Sequence, residues 1–215
     1  TQSDDFPTTP GAFQSAPGGA TGRKQDGVVL KFKPDLSAVI FSTRLGGKDN
    51  DAAFVLALSP LTNNLYVAGA TASDDFPGSK AGTISPAYNQ GICDGFVAQF
   101  TNDGTYIRSS YFGTSGNDLI YGIQFDKFGY PYIMGTTTGS WPVRQPAGVS
   151  TFFTQTNGKQ FISKLKPDLS DYIYSTVFGT NDVFPNISPI AFLVDRCENV
   201  YVSGWGGGVN IEQKY

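Results

Sequence analysis

A unit of about 66 residues recurs along this chain, and that recurrence limits its fold more than any other feature. Gln25-Asp26-Gly27-Val28-Val29-Leu30-Lys31-Phe32 returns as Cys93-Asp94-Gly95-Phe96-Val97-Ala98-Gln99-Phe100, and again as Gly158-Lys159-Gln160-Phe161-Ile162-Ser163-Lys164-Leu165. A turn follows each copy: Lys33-Pro34-Asp35-Leu36-Ser37, Thr101-Asn102-Asp103-Gly104-Thr105 and Lys166-Pro167-Asp168-Leu169-Ser170. Then comes a strand-like run that closes on Gly46, Gly113 or Gly179, which gives periods of 67 and 66.

The other half of the unit repeats too. Phe54-Val55-Leu56-Ala57-Leu58 matches Tyr121-Gly122-Ile123-Gln124-Phe125 and Ile190-Ala191-Phe192-Leu193-Val194. Leu65-Tyr66-Val67-Ala68-Gly69 matches Pro131-Tyr132-Ile133-Met134-Gly135 and Val200-Tyr201-Val202-Ser203-Gly204. Ser73-Asp74-Asp75-Phe76-Pro77 echoes Ser3-Asp4-Asp5-Phe6-Pro7, with Gly139-Ser140-Trp141-Pro142 as a looser third copy.

Composition agrees with strands. Only Glu198 and Glu212 of the 18 acids are glutamate, and 26 glycines, 13 prolines and many aromatics leave few good helix formers. The reading is all-β. Four short strands in about 66 residues have the size and content of a β-propeller blade, with strands A to D running from inside outward. The spacing predicts two full blades plus two half-blades in one region, 1–215. Strands C and D of a first blade fall in 1–47, a second blade in 48–113, a third in 114–180, and strands A and B of a fourth in 181–215. The B–C connection, about 25 residues, is long for a hairpin loop. Phe54, Leu56 and Leu58 of strand A present one apolar face, and Val55 and Ala57 the other. Three blade equivalents are fewer than a closed ring normally holds, so the expectation is a longer chain or association with another one.

Several functions lose support. A net charge of −3, with Lys31/Lys33 and Lys164/Lys166 as the densest basic groups, argues against nucleic acid and anionic membrane surfaces. The longest apolar run, Ala52 to Leu58, is too short to span a bilayer, so no membrane insertion is expected. The absence of histidine removes Ser-His-Asp, Cys-His and HExxH chemistry. Cys93 and Cys197 form no CxxC motif, and the sequence leaves open whether they pair.

These strings resemble the bacterial beta-propeller repeat family, also called the seven-bladed beta-propeller repeat. Ser73-x-Asp75-Phe76-Pro77, Asp94-Gly95-Phe96-Val97-Ala98, Phe41-Ser42-Thr43-Arg44-Leu45-Gly46-Gly47 and Asn199-Val200-Tyr201-Val202-Ser203-Gly204 carry the likeness over nearly the whole chain. The third copy departs most, lacking the Asp-Gly before strand C and placing Trp141 for Phe. The resemblance implies large secreted or surface proteins of Bacteroidota and no defined catalytic residue.

Gly113 to Gly122 resembles one calcium-binding nonapeptide, with carboxylate and backbone oxygens offered by a glycine-rich turn. It makes Asp49, Asp51, Asn117 and Asp118 calcium candidates, against a plain turn role; no other cofactor is expected. Asp4/Asp5 and Asp74/Asp75 read as turn residues beside a Phe anchor rather than an acid–base pair, because they recur. Asn186-Ile187-Ser188 fits a glycosylation sequon, and Trp205-Gly206-Gly207-Gly208 reads as a flexible turn. The expected function is a non-catalytic extracellular or cell-surface module for binding, adhesion or display. Its partners would be the remaining blades or another protein chain, with glycan as a possible ligand. The alternatives are a polysaccharide-active propeller enzyme and a purely structural spacer.

Overall fold

The computed structural model describes residues 1–19 and 24–206, and among these it contains twelve strands and no helix. β1 (Gly27–Phe32) pairs with β2 (Val39–Leu45). β3 (Asp51–Leu58), β4 (Leu65–Thr71), β5 (Asp94–Phe100) and β6 (Tyr106–Phe112) form a four-stranded antiparallel sheet. β7 (Asp118–Phe125), β8 (Pro131–Thr137), β9 (Gln160–Leu165) and β10 (Tyr172–Phe178) form a second, and β11 (Ile187–Val194) pairs with β12 (Val200–Gly206). Trp205 and Gly206 therefore end a strand rather than make a turn; Gly207, Gly208 and Glu212 lie outside the described residues. Asp118 to Gly122 likewise open a strand, so only the front of the calcium-like string is a connection.

Side chains alternate across a strand, which explains why β4 and β5 are buried from end to end. Leu65, Val67, Phe96, Ala98 and Phe100 meet Val29, Phe41 and Leu45 of the first pair. Tyr66, Ala68 and Val97 point the other way, to Ile120, Ile123, Ile133 and Phe161. Each sheet is thus a wall shared by two cores, and each fully buried Phe or Leu contributes roughly 1.5–3 kcal/mol. β3 packs on β7 and β7 on β11, whereas no comparable contact joins β6 to β10. The sheets diverge outward from their first strands. Phe112, Tyr172, Ile84 and Leu169 fill the widening gap.

The long connections do not stand off into solvent. The 72–93 segment folds back along β6, where Ser109 N donates to Ser79 O (3.0 Å) and Tyr111 N to Ser85 O (3.0 Å). The 138–159 segment does the same to β10: Arg144 and Ser175 exchange backbone bonds, and Gln155 N donates to Val177 O. Residues 1–19 cover β2, with Arg44 N donating to Gln14 O and Thr9 N to Ser42 O. All three outer strands thereby have their exposed backbone groups partly occupied.

Turn chemistry is equally regular. Leu36, Gly104 and Leu169 occupy one repeat position, and all have positive φ (57°, 91° and 59°). Only glycine takes that conformation without steric cost. Leu169 is retained there with its side chain fully buried between sheets.

Candidate functional site

β3, β7 and β11 each carry a register shift at the same place. It lies between Ala53 and Val55 in β3, Ile120 and Gly122 in β7, and Pro189 and Ala191 in β11. The extra residues are Phe54, Tyr121 and Ile190. A bulge re-aims its side chain away from the regular alternation, and these three are 46%, 38% and 70% exposed. The Phe54 and Tyr121 rings stack, with centroids 5.5 Å apart and planes at 12°. Leu56 and Leu58 of β3 are exposed as well, while Val55 and Ala57 on the opposite side of that strand pack into the core. Beyond the strand ends the face runs into an open groove of about 480 Å³, where Leu58, Gln124, Lys127, Asp195 and Arg196 mix apolar and charged character. Shallow, part-aromatic and part-polar, this surface can stack against a flat ligand and hydrogen-bond its rim.

The residues singled out from sequence are dispersed elsewhere. Asp74 is exposed and paired with Lys48 (2.7 Å), and Asp75 Oδ1 accepts from Lys48 N (2.9 Å). Asp5 accepts from the Ser3 hydroxyl. Their neighbour Phe76 is a buried anchor, 4.3 Å centroid to centroid from Phe96. Asp49 pairs with Lys24 (3.1 Å) and Asn117 Oδ1 accepts from Ile92 N (3.0 Å), while Asp51 and Asp118 are buried. The four calcium candidates are split between two connections, Asp49 and Asp51 at one, Asn117 and Asp118 at the other. Among the described residues no group of three or more His, Cys, Asp or Glu side chains is placed to hold a metal. Cys93 is half-buried, Cys197 is exposed, and both are free thiols.

A feature that turn chemistry hid lies in the seams between sheets. Asp26 directly precedes β1, Asp94 opens β5, and Asp51 and Asp118 each open the first strand of the next sheet; all four are at most 1% exposed. A Cβ placed on the closing Gly46 would lie 2.4 Å from Asp26 Oδ1 and 2.8 Å from Asp51 Oδ2. On Gly113 it would lie 2.3 Å from Asp94 Oδ1, and on Gly179 it would collide with the Gln160 side chain. The repeated glycine leaves room for these groups. Burial pushes Asp51 up to about 6 and Asp94 up to about 7, and raises Asp26 and Asp118 as well. In the third seam the positions of the acids hold Lys159 and Ile187, and the Gln160 and Asn186 side chains lie beside Gly179 instead, with Asn186 Oδ1 accepting from Thr180 N (3.4 Å). The sequence signal was available, since Asp26 and Asp94 recur before their strands and Asp51 and Asp118 recur 67 residues apart.

The third seam has a different tie. Lys164 Nζ lies 2.7 Å from both Asp126 Oδ2 and Glu198 Oε2, and 5.0 Å from the ring centroids of Tyr130 and Tyr132. It links the β7–β10 sheet to the turn between β11 and β12.

No helix among the described residues is long and apolar enough to cross a membrane. Compared with protein-family models and with curated proteins, the chain finds no match.

Proposed function

We propose that the chain is a run of β-propeller blades, of the kind its repeat resembles, serving as a non-catalytic binding module of a secreted or cell-surface protein. The observation that carries this reading is the row Phe54, Tyr121 and Ile190. Three equivalent bulges turn apolar side chains outward on the face where successive first strands meet. Core packing does not need these side chains, and a soluble surface is better without them. In a propeller this face lines the central channel. Within the described residues β1 and β12 each have one strand neighbour where β5 and β4 have two. Further blades, from the same polypeptide or another, are the partners this arrangement suits.

The stacked aromatic pair suits a glycan or another flat, partly apolar ligand. A panel of polysaccharides and surface proteins screened by calorimetry tests this, with Phe54→Ala and Tyr121→Ala as variants. The expected result is a ligand whose affinity falls about tenfold or more in each variant while the melting temperature holds within a few degrees. Release of shortened sugars from any member of the panel would instead establish an enzyme.

A further inference from the structure

The three seams dispose of charge differently at one repeat position. At the first, Arg44 Nη1 lies 3.8 Å from Asp26 Oδ2, so a cation accompanies Asp26. At the third, the matching residues are Lys159 and Ile187, neither of them an acid, and the neutral Gln160 and Asn186 side chains lie beside Gly179. At the second, Asp94 and Asp118 are buried together, and the residue matching Arg44 is Tyr111, a neutral one. Their outer oxygens are well held. Asp94 Oδ2 accepts from Asn89 N (2.6 Å), and Asp118 Oδ2 accepts from Thr114 N (2.6 Å) and Thr114 Oγ1 (2.9 Å). The Oδ1 atoms of both have no hydrogen-bond partner. Both carboxylates face the same stretch of chain, Asp94 over Gly113 and Asp118 on Thr114.

Two buried anions on one stretch of chain, each with an unpartnered oxygen, would cost several kcal/mol each. A single proton removes one charge and turns one idle oxygen into a donor for the other. We propose that Asp94 and Asp118 share one proton across the seam between the β3–β6 and β7–β10 sheets, and that loss of this proton loosens the seam.

The groups around the pair are few. Lys159, on the connection before β9, pulls Asp118 downward together with the Thr114 and Thr137 hydroxyls, but burial outweighs them. Around Asp94, the bonds from Asn89 act downward and Asp118 acts upward. Cys93 and Tyr88, both on the 72–93 connection, are themselves pushed up by burial and by these acids, so they stay neutral at the relevant pH. An unfolded aspartate takes up its proton near 3.8, whereas folded Asp94 holds one up to about 7. The folded state therefore binds more protons between those values. The stabilisation is complete below the unfolded value and is lost as pH rises through about 7. The two steps belong to the pair rather than to either residue.

Thermal unfolding of the full chain from pH 5 to 8.5 tests the proposal, alongside Asp94→Asn and a double variant, Asp94→Asn with Asp118→Asn, that leaves the seam without either charge. The wild type should lose several degrees between pH 6 and 8, and the variants should show a clearly flatter profile. Carboxyl ¹³C NMR of the wild type reads the proton directly and needs no variant; one carboxyl of the pair should titrate well above the ordinary range. Ordinary titration of both acids would overturn the proposal, as would a pH profile that the variants leave unchanged. So would calcium at pH 8 restoring the melting temperature in wild type but not in the double variant, since a cation would then fill the place assigned to the proton.

Discussion

The two four-stranded sheets anchor their long connections by the same plan with different atoms. In the β3–β6 sheet, Phe76 is the plug, packed on Phe96. Tyr111 secures it: the Tyr111 hydroxyl accepts from Phe76 N (3.0 Å) and donates to Ser73 O (2.9 Å). In the β7–β10 sheet the plug is Trp141, lying flat on Phe161 with centroids 3.5 Å apart and planes at 5°. Val177 stands where Tyr111 would be and offers no hydroxyl. The indole supplies the donor itself, its Nε1 reaching Ser175 Oγ (3.0 Å) and Ser163 Oγ (3.2 Å). The polar requirement of a buried plug can thus be met from the strand or from the plug, and a change at one position is matched by a change at the other.

The sharpest way to break the comparison is to remove a plug. Trp141→Ala should destabilise by about 3–5 kcal/mol, seen as an earlier denaturant midpoint. Its loss empties the space over Phe161 and leaves the Ser163–Ser175 pair without its third partner. Tyr111→Phe should cost about 1–3 kcal/mol, because Phe76 N–H and Ser73 C=O stay buried and lose their partner. Val177 offers no hydroxyl but is packed in the core, so Val177→Ala should cost about 1–2 kcal/mol through the two buried methyl groups it removes. The smallest effect is expected at the exposed acid beside the plug. Asp74→Asn breaks only a surface pair with Lys48 and should change stability by less than about 0.5 kcal/mol.

Much of this was legible before any coordinates, because strands joined by short turns follow local rules. The run closing on Gly46 is β2, and the copies containing Tyr66 and Tyr132 are β4 and β8. Side-chain direction was harder to read. Phe54, Leu56 and Leu58 alternate as a half-buried strand should, yet it is Val55 and Ala57 that pack in β3, while in β7, which has a sheet on either side, Ile123 at the position of Leu56 is fully buried. Nor does an aspartate announce whether it serves a turn or a seam. Asp35 and Asp168 hold turn amides in solvent, while Asp26 and Asp94 have the same residue type, also beside a strand end, and are fully buried. Burial there depends on the neighbouring sheet, which lies outside any local window. Trp141 looked like the weak third copy of a Phe, whereas its added N–H makes good the hydroxyl that Val177 lacks.

The fold-back of each long connection onto its own outermost strand has a consequence for how such a chain can grow. A sheet that arrives with its rim partly occupied brings less of an adhesive border, so a copied unit can be inserted or lost while exposing little that is new. The number of units is then set by the faces that meet inside the row, and gene duplication can lengthen or shorten the array while each member keeps the same partly covered outer wall.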